Sequence, residues 1–281
     1  MNVRSKCLCL LAIVIILYSI LFYFKSNNDP LVSAISSRTM SIPNGYFTCD
    51  TRKNNSTIDG EKYKTCLKWS RNDAFWAVQD LRHKSFKNFL NTSSLIIEVG
   101  GNTGLDTSKF IELYNCSIIS FEPLIQMSND LKKKFETNSK VEIQPYGLGN
   151  QARTISIEPF DNENTGTSMF RKVSNKNSTK IQTIEILNII EVIQNIRKTK
   201  TLNNGMIDMI SINCEGCEFE ILPALISNNL LQYFRIIQFA SHMNFLNDSS
   251  CIYCQIEQTL EKTHQIIYQY TMLWEAWVMK N

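Results

Sequence analysis

The segment Leu95-Ile-Ile-Glu-Val-Gly-Gly-Asn-Thr-Gly104 constrains the fold more than any other. A short apolar run ends in the acid Glu98, and Gly100, Gly101 and Gly104 follow at once. The next residues, Leu105–Leu113, have the apolar spacing of a helix. A strand, a glycine loop and a helix in that order bring a backbone close to a nucleotide-like ligand at a helix N-terminus. The glycine spacing is not the G-x-G-x-x-G of a dinucleotide site.

Short apolar runs and helical patterns alternate through the rest of the chain. Strands are expected at Leu95–Val99, Ser117–Phe121, Val141–Tyr146, Thr154–Ile157, Met206–Ile212 and Arg235–Phe239. A closing antiparallel pair is expected at Ile266–Tyr270 and Met272–Val278. Helices are expected at Asp73–Leu90, Leu124–Thr137 and Ile184–Arg197, from about Glu218, and around Ile252–Leu260. In Asp73–Leu90, Phe75 and Trp76 are read among the apolar anchors. This alternation predicts an α/β fold, an open and mostly parallel sheet with helices on both faces.

Ligands of such sheets sit beyond the carboxyl ends of the strands, at the switch in strand order. The residues after each strand are therefore the candidate site. Glu98, Gly100, Gly101, Asn102 and Gly104 follow or close the first. Glu122, 24 residues beyond Glu98, follows the second, where an acid suits two ribose hydroxyls. Gly147 and Leu148 follow the third and are a candidate wall for a flat ring. Asn213-Cys-Glu-Gly-Cys-Glu218 follows the long strand at Met206–Ile212. His242 follows the next strand and is the candidate general base, because imidazole titrates near neutral pH. Asn213 and Glu215 are the other candidate catalytic residues, and Glu218 is an alternative acceptor. His83 and His264, in helical or surface contexts, rank lower.

Ile210-Ser-Ile-Asn-Cys-Glu-Gly-Cys-Glu-Phe-Glu-Ile-Leu222 resembles the signature of FkbM-type methyltransferases, Leu-Lys-Ile-Asp-x-Glu-Gly-x-Glu. Ile96–Gly104 is similar to their first motif. Ser120–Pro123, Gly147–Gly149, Thr183–Leu187, Ile237–His242 and Trp274–Trp277 fall in that family's order. The resemblance runs from about Asp73 to the C-terminus. It implies a class I, Rossmann-like fold with S-adenosyl-L-methionine (SAM) as cofactor and O-methylation of a hydroxyl, including those of sugars. Ser211 stands where the family has Lys and Asn213 where it has Asp. An amide is neutral at all working pH, so Asn213 can hold a hydroxyl but not take its proton.

Before residue 73 the chain changes character. Residues 7–24 form an uncharged apolar run, just long enough for a membrane-spanning helix. Arg4 and Lys6 precede it and Lys25 follows, which favours a cytoplasmic tail over residues 1–6. The run is longer than a cleaved signal's core, and no small-residue cleavage site lies close behind it; Val32-Ser-Ala34 is far downstream. The expected organisation is a signal-anchor at 7–24, a stem at 25–45, an irregular segment at 46–72 and the methyltransferase-like domain at 73–281. The body would then lie in the lumen of the Golgi or ER, as a type II membrane protein. Sequons at Asn54, Asn55, Asn91, Asn115, Asn177 and Asn247 agree with that placement.

Seven cysteines lie beyond the apolar run, an odd count that leaves at least one thiol unpaired unless a bridge forms between chains. A Cys49–Cys66 bridge would close the irregular segment. Cys214-x-x-Cys217 and Cys251-x-x-Cys254 have metal-ligand spacing, but lumenal thiols more often oxidise than hold zinc. No metal is expected. The net charge of +3 carries no Lys/Arg cluster of a nucleic-acid footprint. Lys132-Lys133-Lys134 reads as a solvated helix face.

The expected function is thus a SAM-dependent methyltransferase acting on a glycan or other small hydroxyl substrate, held to a membrane and without a nucleic-acid partner. A Golgi glycosyltransferase would share the anchor and stem. Its metal motif would have to be Asp161-Asn-Glu163, which no strand leads into. A third reading is a binding domain that kept the fold and lost turnover.

Overall fold

A computed structural model describes residues 60–159, 166–170, 180–246 and 248–280. The apolar run at 7–24, the stem, Cys49, the Asp161–Glu163 motif and the sequons at Asn54, Asn55, Asn177 and Asn247 lie outside them. Among the described residues no helix is long and apolar enough to cross a membrane.

Among the described residues, two short helices, α1 (Gly60–Cys66) and α2 (Phe75–Lys84), precede the sheet. Then come β1 (Leu95–Val99), α3 (Leu105–Tyr114), β2 (Ser117–Phe121), α4 (Ile125–Lys134) and β3 (Val141–Gln144). A smaller sheet follows, made of β4 (Gly147–Gly149), β5 (Arg153–Ile157) and β6 (Gln182–Asn188). The chain returns through α5 (Ile189–Thr199) to β7 (Ile207–Ile212), α6 (Glu218–Ser227), β8 (Phe234–Ala240) and α7 (Ser249–Thr263). It closes on β9 (His264–Tyr270) and β10 (Trp274–Met279).

The main sheet has seven strands in the order β3-β2-β1-β7-β8-β10-β9. Pairing is parallel except along β10, which runs antiparallel to both β8 and β9. This is the mostly parallel, Rossmann-like sheet expected. Every residue of β1 and β7 is buried, as strands covered on both faces must be. Ile96, Met209 and Ile236 stand in register across β1, β7 and β8. They share a core with Val78 of α2 and Phe110 of α3. The helices on either side of β7 in the chain pack in succession, α5 on α6 and α6 on α7. The strand order reverses between β1 and β7, which makes their carboxyl ends the switch point.

Several expectations need correction. Thr183–Leu187 is a strand rather than the start of a helix. Ile184 and Ile186 alternate with exposed Thr183 or Glu185 neighbours against β5, and the helix begins only after Asn188, whose side chain accepts the Ile190 N–H at 2.9 Å. The third strand ends at Gln144 rather than Tyr146, and Gly147–Gly149 forms a strand of its own, paired in parallel with Ile186–Asn188. The expected irregular segment contains α1. Phe75 and Trp76 are not core anchors; they are 44% and 85% exposed. His83 and His264 are both buried. His83 and Arg82 share Asp106 at 2.8 Å each, and His264 faces the Phe234 carbonyl.

The cysteine pairing also differs. Cys66 bonds to Cys254, tying α1 to α7 across 188 residues of chain. Long closure of this kind removes the most freedom from the unfolded chain. Cys214 bonds to Cys217, and Cys251 is disulfide-bonded too. These bonds leave no four-thiolate zinc site. Cys116 is the unpaired thiol among the described residues, and burial pushes it up to about 12. Asn91 and Asn115 are exposed, and Lys132–Lys134 are solvent-facing as expected.

Under α7 lies a buried acid pair. Glu275 accepts from Tyr253 at 2.8 Å and from Trp277 at 3.1 Å. Gln269 bridges it to Glu257 at 2.8 Å. Burial, and then Glu275, hold the Glu257 carboxyl far above the usual range. A buried acid with a raised pKa keeps its proton in the folded state and loses it on unfolding, so stability falls as pH rises above about 4. Glu257→Gln should therefore gain thermal stability relative to wild type between about pH 5 and pH 8, read by melting curves at both. An equal loss at both pH values would contradict the neutral state of Glu257.

Candidate functional site

The loops after β1, β2, β7 and β8, together with strand β4, converge on one cavity of about 540 Å³ at the switch point. Gly100, Gly101, Asn102, Glu122, Gly147, Leu148, Asn213, Glu215 and His242 all line it. The structure thus gathers most of the residues expected from strand ends scattered over the chain. Pro123, Leu124, Ile157, Ile184 and Ile186 supply an apolar flank.

The loop after β1 is held as an extension of the sheet. The N–H groups of Gly100 and Gly101 donate to the Phe121 carbonyl at 2.9 and 3.2 Å, and Asn213 N–H donates to Val99 at 2.8 Å. Gly100 has φ +94°, and a Cβ there would fall 2.0 Å from the Asn213 carbonyl oxygen. Only glycine permits the loops after β1 and β7 to approach so closely. The start of α3 has no side-chain cap, so its first N–H groups remain available to an anionic group. Lys134 donates to the Thr103 and Gly104 carbonyls and pins the loop from α4.

Two expected contacts fall elsewhere. Glu98 is buried behind the loop and does not line the cavity. It accepts from Thr107 at 2.6 Å and from Ser120, bracing α3 against β2. Burial, then Asp106, raises it to about 7, with the two hydroxyls pulling the other way. Gly104 also lies off the cavity. It caps α3 at φ +73°, where a Cβ would meet Leu131 and Phe135 of the α4 segment at 2.7 and 2.9 Å. Its part is packing.

Glu122 is where strand order alone would put a diol-binding acid. Its Oε2 accepts the Asn102 N–H at 2.8 Å and its Oε1 the Leu124 N–H at 2.9 Å. These two bonds aim the carboxylate and offset its burial, which raises its pKa. Each oxygen keeps a further lone pair for a hydroxyl donor.

On the opposite side, His242 sits between two carboxylates. Its Nδ1 lies 3.1 Å from Glu218 and its Nε2 3.4 Å from Glu215. Glu218 is fully buried and also accepts the N–H groups of His242 at 2.7 Å and Gly216 at 3.0 Å. Burial opposes the imidazolium, but Glu218 and Glu215 outweigh it and raise the ring to about 10. A ring charged at neutral pH cannot accept a proton. His242 is therefore placed as expected but in the wrong protonation state for a base. Glu215, 29% exposed at the cavity wall, keeps acceptor oxygens.

The sequence reading missed Arg71, Phe75, Arg82, Ser241 and Trp274 as cavity-lining residues. Arg82 stacks over the Trp274 ring at 4.6 Å while paired to Asp106. Nothing in their spacing joins α2 to β10. The advance signals were Ser241 within Ile237–His242 and Trp274 within the closing motif.

No family model matches the chain, and no curated protein matches it. Solved structures with a similar course include a putative rRNA methylase from Clostridium thermocellum (10% identity, 72% of this chain and 94% of that one, TM-score 0.43). Others are an O-methyltransferase from Bacillus cereus in complex with S-adenosylhomocysteine (SAH) (11%, 79% and 92%, 0.41) and the N-methyltransferase NodS from Bradyrhizobium japonicum, also with SAH (12%, 79% and 98%, 0.36). Similarity at that level carries no weight for function.

Two outcomes test this geometry. Gly100→Ala should cost about 1–3 kcal/mol or more from strain and overlap, read by denaturant unfolding; an unchanged midpoint would mean that the two loops lie further apart. The folded pKa of His242, about 10, lies above its unfolded value of 6.5. Its stabilising contribution is then full below about pH 6.5 and is lost as pH rises through about 10. The melting-temperature gap between wild type and His242→Ala should shrink over that window. A gap that closes already at about pH 7 would contradict the double ion pair.

Proposed function

We propose that the chain is a SAM-dependent methyltransferase of the FkbM type that methylates a hydroxyl on a glycan or another secretory-pathway substrate. The observation that carries this reading is Glu122, a buried carboxylate fixed by two backbone N–H groups at the end of β2, facing a glycine-edged cavity at the switch point.

The residues fit the cofactor. Glu122 would hold the ribose diol, and Gly100 and Gly101 leave the loop backbone bare of side chains. The uncapped start of α3 would receive the carboxylate end. Leu124, Leu148 and Ile186 offer an apolar seat for the adenine. When bound, SAM supplies a methyl group on a sulfonium, which leaves readily. The protein's work is then to position the acceptor and to take its proton. Glu215 is the proton acceptor in this account, with the His242 imidazolium beside it steadying the carboxylate. Asn213 holds the acceptor hydroxyl by hydrogen bonding.

The membrane and compartment follow as proposals. Residues 7–24 would anchor the chain with its body in the Golgi or ER lumen. The disulfides among the described residues support an oxidising compartment.

Incubation with methyl-labelled SAM and an extracted glycan pool should transfer label to the glycan. Glu215→Gln should lower turnover by about 10²–10⁴-fold, the usual worth of acid–base catalysis, with SAH affinity retained. Full turnover by Glu215→Gln would remove it as the base.

A further inference from the structure

The Cys214–Cys217 disulfide has no part in the function proposed above, yet both cysteines line the cavity. Their separation is 3 residues, against 188 for Cys66–Cys254. Stabilisation by loop closure grows with loop length, so this bond adds far less to global stability. Its effect is local, and the residues it encloses are Glu215 and Gly216.

Glu215 has φ +55° and Gly216 φ +113°. The left-handed region is unfavourable for a glutamate, and the Cys214–Cys217 ring closes around this residue. The same turn is tied down by Ser168, whose hydroxyl donates to the Glu215 carbonyl, and by Glu218, which accepts the Gly216 N–H. In this conformation the Glu215 carboxylate reaches His242.

The two sulfurs differ in access. Cys217 is 4% exposed and is the N-cap of α6. Cys214 is half-buried at the cavity wall. An incoming thiolate therefore meets Cys214 first. Cys217 is the better leaving group, because a helix N-terminus stabilises a thiolate.

We propose that Cys214–Cys217 is a redox-active site, reduced by a dithiol, that governs whether Glu215 is held at the cavity wall. One thiolate of the dithiol attacks the Cys214 sulfur. The S–S bond breaks, and Cys217 departs as a thiolate that takes up a proton. The second thiol of the reductant attacks the mixed disulfide, and Cys214 leaves and is protonated. The protein gains two electrons and two protons, and the reductant becomes a disulfide. The oxidised form is the competent one. In the reduced form Glu215 relaxes out of the left-handed region and away from His242.

The test is a dithiothreitol titration of the full chain, with alkylation and peptide mapping at each point. Cys214 and Cys217 should become alkylated at a concentration at least about tenfold below that which opens Cys66–Cys254, the latter being constrained by long closure. At that point the NMR-measured pKa of His242 should fall, and reoxidation should restore it. The activity readout rests on the methyltransferase reading: turnover should drop about tenfold or more while SAH affinity changes less than twofold, as only the acceptor side is disturbed. Cys214→Ser/Cys217→Ser should behave as the reduced form and ignore dithiothreitol. Reduction of Cys66–Cys254 first, or a His242 titration indifferent to reduction, would overturn the proposal. Absence of SAH binding in both states would instead overturn the methyltransferase reading and leave the thiol and His242 results to decide this one.

Discussion

The site depends on the approach of two loops. The loops after β1 and β7 leave adjacent parallel strands in opposite senses at the reversal of strand order, and Gly100 lets one lie against the Asn213 carbonyl of the other. Without that approach the cavity would have no floor shared by Glu122 on one side and Glu215 on the other. The hydrogen bonds from Gly100 and Gly101 to Phe121, and from Asn213 to Val99, carry the sheet's order beyond its strands. Loop backbone is thereby tied to the strands by the same kind of hydrogen bond that joins them, which favours fixed positioning.

Charge is arranged differently on the two sides. Glu122 is a lone carboxylate stabilised by N–H donors alone, with its remaining lone pairs facing the cavity. Glu215, His242 and Glu218 form a closed pairing in which one imidazolium sits between two carboxylates. The first arrangement is suited to receiving neutral hydroxyl donors. The second fixes a carboxylate and a cation in mutual orientation and keeps the cation charged through neutral pH.

Much of this could be read from the chain because parallel strands are locally obvious. Leu95–Val99, Ser117–Phe121 and the runs before Asn213 and Ser241 are dominated by apolar residues, and the residues after each fall on the ligand edge by topology alone. The failures share a cause. Ile184, Ile186, Leu187, Ile190 and Ile193 satisfy both a two-residue and a helical period, so the strand-to-helix change at Asn188 was hidden; only its capping side chain marks it. Cysteine partners are set by the tertiary fold, so Cys66 found Cys254 rather than the nearer Cys49. The protonation of His242 is set by acids that precede it by more than twenty residues. Glu98 and Gly104 belong to the recognised loop, but side-chain direction, not motif membership, decides which residues face the cavity.

Calorimetric titration with SAH, with a nucleotide-sugar in parallel, tests the central claim most directly. The account predicts one-to-one binding of SAH, weakened at least about tenfold in Glu122→Gln by loss of a charge-assisted hydrogen bond, and no binding of the nucleotide-sugar. Binding of the nucleotide-sugar alone, or SAH affinity indifferent to Glu122, would contradict it.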